Sequence, residues 1–281
     1  MILVTGAGGN LGSATLAALR AGGVAATGGS RTPGPGTGAG TGPGTRHLDF
    51  DDRASLDLAG VSTLVLISAG YAEDDQVVGR HTAVLDAAVR DGVDHVVYTS
   101  LTAAGDHLGF ASAHRATERL VRASGLRWTI LRNGLYAELF GSLLTWAGEG
   151  VESAFGDGAL AAVAREDLAD AAAAVAANPA RHRGRVHELV GTPITAAQVA
   201  DRLGVAHRAI GLGEYRRRLL DETPGLLPFQ PPMLVSIASA VRHGFLDGTA
   251  PDLTDLLGRP TRDPLAVAAT AAAAARPRAS L

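Results

Sequence analysis

Two residue types are missing from these 281 residues, and both absences restrict the chemistry. There is no cysteine, which removes disulfides, thiolate nucleophiles and any zinc site built on thiolate. There is no lysine either, because all 25 Lys+Arg residues are arginines. A Schiff base, a phosphate-loop lysine and a Tyr-x-x-x-Lys catalytic pair are therefore excluded. Arginine is too permanently cationic to replace such a lysine as a proton relay. No His-x-x-x-His spacing and no Gly-x-Ser-x-Gly elbow occurs, so a zinc hydrolase or a nucleophile-elbow hydrolase is not expected.

Charge is also scarce. Only 19% of residues are charged and the formal net charge is −3, which argues against a nucleic-acid surface. Apolar runs are strand-sized or alanine-rich, short of the roughly 18 residues that span a bilayer, so no membrane segment is expected. The start, Met1 to Gly6, has no basic leader, and the reading is a cytoplasmic protein without a secretory signal. With 46% hydrophobic residues, the chain can bury a core in one large domain or two smaller ones.

What is present alternates. Met1 to Thr5 is an apolar run, and Leu11 to Arg20 is a helix closed by Gly22-Gly23. Weak strand signals follow at Val24 to Thr27 and Arg46 to Phe50. Nine of the twelve residues from Pro33 to Gly44 are Gly or Pro, which predicts a mobile surface loop. A short helix is predicted at Arg53 to Ala59, a strand at Val61 to Ser68 and a helix at Glu73 to Asp91. Asp94 to Thr99 and Leu126 to Arg132 read as strands around a helix at Ala111 to Ala123. Such alternation predicts an α/β fold, a Rossmann doubly wound parallel sheet. Residues 1–140 would form the nucleotide-binding domain. Residues 141–281 would form a smaller, mainly helical lobe, interleaved with the sheet and covering its carboxyl edge. In that half, helices are predicted at Arg165 to Ala177, at Thr195 to Leu203 with a Thr195/Gln198 capping box, and after Asp263-Pro264.

The glycines at the first turn carry the functional signal. Gly6-Ala7-Gly8-Gly9-Asn10-Leu11-Gly12 lies between a strand and a helix. Gly6 allows the tight turn, Gly9 lets a pyrophosphate approach the backbone, and Gly12 permits close helix–strand packing. The second strand runs into Ser30-Arg31-Thr32 with no carboxylate to grip a free ribose diol. Arg31 suits the extra phosphate of NADP, so NADP(H) is expected rather than NAD(H). Asp49 and Phe50 would flank the adenine, or Asp49 would only cap the helix that follows. Ser68-Ala69-Gly70 falls at the carboxyl end of a strand, where such sheets bind ligands.

With Tyr98-Thr99-Ser100-Leu101, His114-Arg-Ala-Thr117-Glu118, Leu131-Arg132-Asn133-Gly134-Leu135-Tyr136 and Arg165-Glu166-Asp167 added, the chain resembles the NmrA-like atypical short-chain dehydrogenases/reductases. It is most similar there to bacterial NADPH:quinone oxidoreductases. The resemblance implies that Gly6 to Gly12 and Arg31 hold NADP(H). It also implies that Ser68 to Gly70, Thr99, Ser100 and Asn133 lie near the nicotinamide or substrate, with Arg165 bordering the cleft. The Gly/Pro loop departs from relatives, which usually carry a helix there.

Where typical short-chain reductases place Tyr and Lys, this chain has Phe110 and His114. Reducing an isolated ketone makes a strongly basic alkoxide that needs a poised acid. Reducing a quinone makes a delocalised phenolate-like anion that needs only hydrogen bonds or water. The sequence therefore points to hydride transfer to a quinone or a similarly conjugated carbonyl. His114 and Tyr136 are the residues left to orient the oxygen or donate a proton, while His114 also suits a purely structural place beside Glu118. Tyr136, Phe140, Leu143 and Trp146 line an apolar pocket or face a core. Arg216-Arg217-Arg218 reads as a solvated helix face. Two other functions stay open: a non-catalytic NADP sensor of NmrA type, and a tailoring reductase for an aromatic or polyketide-like metabolite. A homodimer is expected by fold-level analogy, with no metal.

Overall fold

The computed structural model describes residues 1–32, 45–69 and 72–277. The predicted loop at 33–44 and the site candidate Gly70 lie outside the described residues. In chain order the elements are β1 (Ile2–Val4), α1 (Asn10–Ala21), β2 (Ala26–Ser30), β3 (Thr45–His47), β4 (Thr63–Leu66), α2 (Asp74–Arg90), β5 (His95–Leu101), α3 (Ala111–Ala123) and β6 (Arg127–Asn133). There follow α4 (Ala137–Ser142), β7 (Thr145–Ala147), β8 (Gly150–Ser153), β9 (Ala159–Ala162), α5 (Arg165–Ala177), β10 (Val186–Leu189), β11 (Thr192–Thr195), α6 (Ala196–Leu203) and β12 (His207–Ala209). The chain ends with α7 (Leu212–Asp221), α8 (Gln230–Arg242), α9 (Asp252–Leu257) and α10 (Pro264–Ala274).

Seven strands form the central sheet in the order β10-β6-β5-β4-β1-β2-β3, and every neighbouring pair is parallel. Parallel strands covered on both faces are buried and largely apolar, and β4 and β5 are buried along their whole length. On one face α1 packs against α5, with Leu16, Leu19, Leu168 and Val175 meeting Val4, Val65, Val97 and Leu131. On the other, α2 and α3 bring Val84, Ala88 and Val121 onto Leu3, Leu64, Leu66 and Tyr98. The strand order reverses direction between β1 and β4, which opens a crevice at their carboxyl ends.

Later elements interleave with this layer, since α5 and β10 join it. α9 packs on α5 and β10, and the remaining elements gather around a separate core in which Phe140 stacks on Phe155, with ring centroids 4.7 Å apart. The Thr195/Gln198 capping box forms as the sequence indicates, and Asp263 caps α10 ahead of Pro264. Among the described residues no helix is long and apolar enough to cross a membrane.

Four local expectations are corrected. The helix predicted at Arg53 to Ala59 is a single 3₁₀ turn, Arg53–Ser55. Leu56 and Leu58, two residues apart, are both buried in the sheet core, and that spacing suits an extended chain rather than a helix. Asp52, not Asp49, caps the turn by accepting from the Ala54 amide. The lobe also contains short strands, β7 to β9, β11 and β12, too brief and too rich in alanine and glycine to signal a period of two. The second strand runs on through Gly28 and Gly29, and the glycine turn can pack on it because a Cβ on Gly28 would lie 2.6 Å from that of Ala7.

Candidate functional site

The glycine turn is built by contact rather than by composition. Gly6 has φ +60°, a conformation that glycine adopts without a Cβ penalty. Its carbonyl accepts from the Gly9 amide at 2.8 Å. A Cβ on Gly12 would overlap that same carbonyl oxygen, so α1 can approach the turn only with glycine there. Gly9 is the N-cap of α1 and supplies no side-chain cap. The amides of Asn10, Leu11 and Gly12 are therefore left for a ligand or water, at the positive end of a twelve-residue helix. Gly6, Gly8, Gly9 and Asn10 are exposed, while Leu11 and Gly12 are buried beneath them.

Arg31 stands exposed just past β2, with Asp51 near enough for its charge to be felt. Asp51 itself is engaged by the Arg80 guanidinium through two 2.7 Å contacts. Asp49 closes a small turn by accepting from the Asp51 amide. The half-buried ring of Phe50 meets His81 edge-on, with centroids 6.5 Å apart.

Beyond β4 the chain leaves the sheet, and three successive amides find side chains instead of backbone. Ile67 donates to Thr5 Oγ1 (2.9 Å), Ser68 to Thr99 Oγ1 (3.0 Å) and Ala69 to His81 Nε2 (2.9 Å). Ser68 and Ala69 stay half-buried. At the end of β6, Asn133 is 6% exposed. Its Oδ1 is the one buried side-chain polar atom without a hydrogen-bond partner among the described residues. A buried acceptor left open is costly unless a ligand or water completes it. The glycine cradle, the free helix amides and this open acceptor together fit a dinucleotide laid across the carboxyl edge.

Ser100 is not brought to this group. Its hydroxyl donates to Glu118 at 2.7 Å on the α3 side of the sheet. Glu118 is 1% exposed and also accepts from Arg132 and Arg115 at 2.8 Å. Burial pushes its carboxyl up, but the hydrogen bonds from Arg132 and Ser100 and the arginine charges outweigh that and hold it below the usual glutamate range.

His114 pairs with Tyr98 rather than with Glu118, the phenolic oxygen lying 3.1 Å from Nδ1. Tyr98 is fully buried and burial holds its phenol protonated. Burial, with the Arg115 charge second, pushes the His114 imidazole down to about 4. His114 is therefore neutral at pH 7.

Tyr136 lies across the cleft, its ring 5.0 Å from the Arg165 guanidinium carbon. Glu138 caps α5 from outside by accepting the Arg165 amide at 3.1 Å. Two residues on, Asp167 is fully buried and accepts from Arg259 and Arg262. The other aromatic candidates are core: Phe140 is 1% exposed, and Trp146 donates to the Ala272 carbonyl. Of the arginine run, Arg218 is paired to Glu152 and Glu214. Arg216 borders a separate groove of about 480 Å³ with Leu220, Val235 and Phe245.

His81 escaped the sequence reading. It is fully buried on α2, in a stripe with Val77, Val84 and Ala88. The available signal was a histidine at a core position of an amphipathic helix. Among the described residues no cluster of three or more His, Asp or Glu is arranged to hold a metal.

Comparison with known proteins agrees with this geometry. A family model for NAD(P)H-binding domains matches residues 6–179. Quinone oxidoreductase 2 of Escherichia coli is 34% identical over 231 residues, covering 77% of this chain and 78% of that protein. The chain belongs to the NAD(P)H-binding, NmrA-like branch of the atypical short-chain dehydrogenases/reductases. The crystal structure of the Citrobacter triphenylmethane reductase complexed with NADP(H) superposes with a TM-score of 0.81 at 27% identity, over 98% of this chain and 99% of that one. The NADPH complex of the E. coli NADPH-dependent quinone oxidoreductase gives 0.81 at 30% identity, over 96% and 99%.

Proposed function

We propose that this protein is an NADPH-dependent oxidoreductase that reduces a quinone or a similarly conjugated acceptor. The observation that carries the reading is the neutral His114, hydrogen-bonded through Nδ1 to a buried, protonated Tyr98 at the carboxyl edge of the sheet. With Tyr98 donating to Nδ1, the ring proton sits on Nε2 and serves as a hydrogen-bond donor to an acceptor oxygen. An imidazole titrating near 4 holds no spare proton at pH 7. It suits an acceptor whose reduced anion is stable.

In this reading Gly6, Gly8, Gly9, Asn10, Leu11 and Gly12 receive the pyrophosphate, and Arg31 receives the 2′-phosphate. Asp49 and Phe50 border the adenosine half. Ser68, Ala69, Thr99 and Asn133 support the nicotinamide half, and Tyr136 and Arg165 close the opposite wall. NADPH supplies the hydride when bound, and a proton from solvent completes the hydroquinone. The protein contributes position and exclusion of water, which can supply most of the acceleration in such a transfer. The E. coli quinone oxidoreductase and the triphenylmethane reductase support the class, as both are named for conjugated acceptors.

The test is NADPH oxidation with and without a panel of small quinones, beside NADPH and NADH titrations. Quinone-dependent oxidation with NADPH bound more tightly than NADH is the expected result. Tight NADPH binding with no turnover on any quinone would overturn the reductase reading in favour of a sensor.

A further inference from the structure

After β4 the amides of Ile67, Ser68 and Ala69 donate to side chains, and that of Ala69 depends on a single buried histidine. The Ala69 N–H lies 2.9 Å from His81 Nε2. An amide can only donate, so Nε2 must be the unprotonated nitrogen. The ring proton is then on Nδ1, which donates to Thr117 Oγ1 at 2.8 Å. Thr117 in turn gives its hydroxyl proton to the Ala113 carbonyl at 2.8 Å. Each donor and acceptor in this chain has one consistent direction, so geometry alone fixes the tautomer.

The relay spans three elements. It starts at the β4 turn, crosses α2 and ends on α3 at Ala113, the residue before His114. His81 is fully buried, and its ring lies edge-on to Tyr98 with centroids 5.6 Å apart. Burial and the charges of His114 and Arg80 push it down to about 3, so both nitrogens keep these roles at neutral pH. A leucine would satisfy the packing with Val77 and Val84 but would leave the Ala69 amide without an acceptor.

We infer that His81 is a positioning residue of the cofactor site, holding the Ser68–Ala69 turn in register with α3 so that the nicotinamide half of NADP(H) meets a fixed surface. The inference rests on the cofactor placement proposed above. It identifies Thr117, which points away into the α2–α3 packing, as an equal partner. Removing the Thr117 hydroxyl removes the acceptor that keeps the proton on Nδ1. The ring is then free to carry it on Nε2, where it opposes the Ala69 amide, donor against donor.

The experiment compares His81→Leu, Thr117→Val and His81→Gln with the parent, each checked for folding by circular dichroism and thermal melting. Two ligands are titrated: NADPH, and 2′,5′-ADP, which lacks the nicotinamide half. His81→Leu and Thr117→Val should each weaken NADPH binding about tenfold, the scale of one buried hydrogen bond. Binding of 2′,5′-ADP should stay within about twofold. His81→Gln, which retains an acceptor, should recover most of the loss, and exchange of the Ala69 amide should quicken only in the first two variants. Equal weakening of both ligands means a general structural role and overturns the inference. Unchanged Ala69 exchange also overturns it, by removing the link to His81. Faster exchange with unchanged NADPH affinity overturns it by removing the turn from the nicotinamide site. Nitrogen-15 spectra of the parent protein give a test independent of any variant, because protonated Nε2 in His81 would refute the relay outright.

Discussion

Tyr98 Oη and His114 Nδ1 lie 3.1 Å apart, joining a fully buried strand residue to the helix that borders the candidate cleft. A buried phenol must find a partner, and one of its partners here, beside Thr117 and Ser68, is the histidine standing where most short-chain reductases carry lysine. Tyr98→Phe should therefore act through His114. It frees Nδ1, lets the ring change tautomer and should lower kcat roughly tenfold, with the NADPH dissociation constant nearly unchanged. His114→Phe should lower kcat by at least as much. Steady-state kinetics with a quinone acceptor and a separate NADPH titration check both.

Arg31→Ala should weaken NADPH binding about tenfold or more while leaving NADH within about twofold, because a charge-assisted contact to phosphate is lost and nothing else changes. Parallel titrations with the two cofactors read this directly. An equal loss for both would remove Arg31 from the 2′-phosphate.

Gly12→Ala should damage stability and binding together. The added methyl must displace the Gly6 carbonyl, and overpacking against backbone costs about 1–3 kcal/mol. A lower urea midpoint and loss of NADPH binding are the expected outcomes.

Glu118→Gln keeps the shape of a buried side chain but removes the charge that Arg115 and Arg132 share. Breaking such a buried pair costs about 3 kcal/mol or more. Chemical denaturation should show this loss. The NADPH affinity of the folded fraction should change little, since Glu118 bonds to Ser100, Arg115, Arg122 and Arg132 and to none of the residues proposed to hold the cofactor.

Acid sensitivity follows from three buried histidines. Burial, the leading cause in each, lowers His81 to about 3 and His95 and His114 to about 4. Neighbouring positive charges add to the effect. The unfolded chain binds these protons near the ordinary histidine value of about 6.5, so between there and about 4 it takes up protons that the folded state refuses. Their contribution is complete above about pH 6.5 and is lost progressively as pH falls toward 4, by up to about 1.4 kcal/mol per pH unit for each histidine. Urea melts between pH 7.5 and 5 should show a falling midpoint. A flat profile would mean the histidines are hydrated.

The nucleotide half was legible because its signals are local. Gly6, Gly9 and Gly12 have steric reasons visible in a seven-residue window, and α3 and α5 begin and end where their patterns do. The missed features depend on contacts distant in sequence. Ser100 follows Thr99 in the chain, and strand alternation turns it to the other face, where its hydroxyl donates to Glu118. His81 lies 12 residues from Ala69 and 36 from Thr117, and no pattern within α2 announces such partners. The lobe's strands are three or four residues each, too short to show alternation.

The place of β10 has a consequence for how the protein can be made or recombined. The sheet is completed at its β6 edge by Val186–Leu189, which follow α4, β7, β8 and β9 in the chain. A fragment ending near residue 140 would present β6 as an open edge, inviting intermolecular pairing and precipitation. On the ribosome the same edge waits for Leu189 to emerge before it is sealed. Chimaeras that exchange the C-terminal elements between relatives should therefore join after β10, where a cut leaves the nucleotide sheet whole.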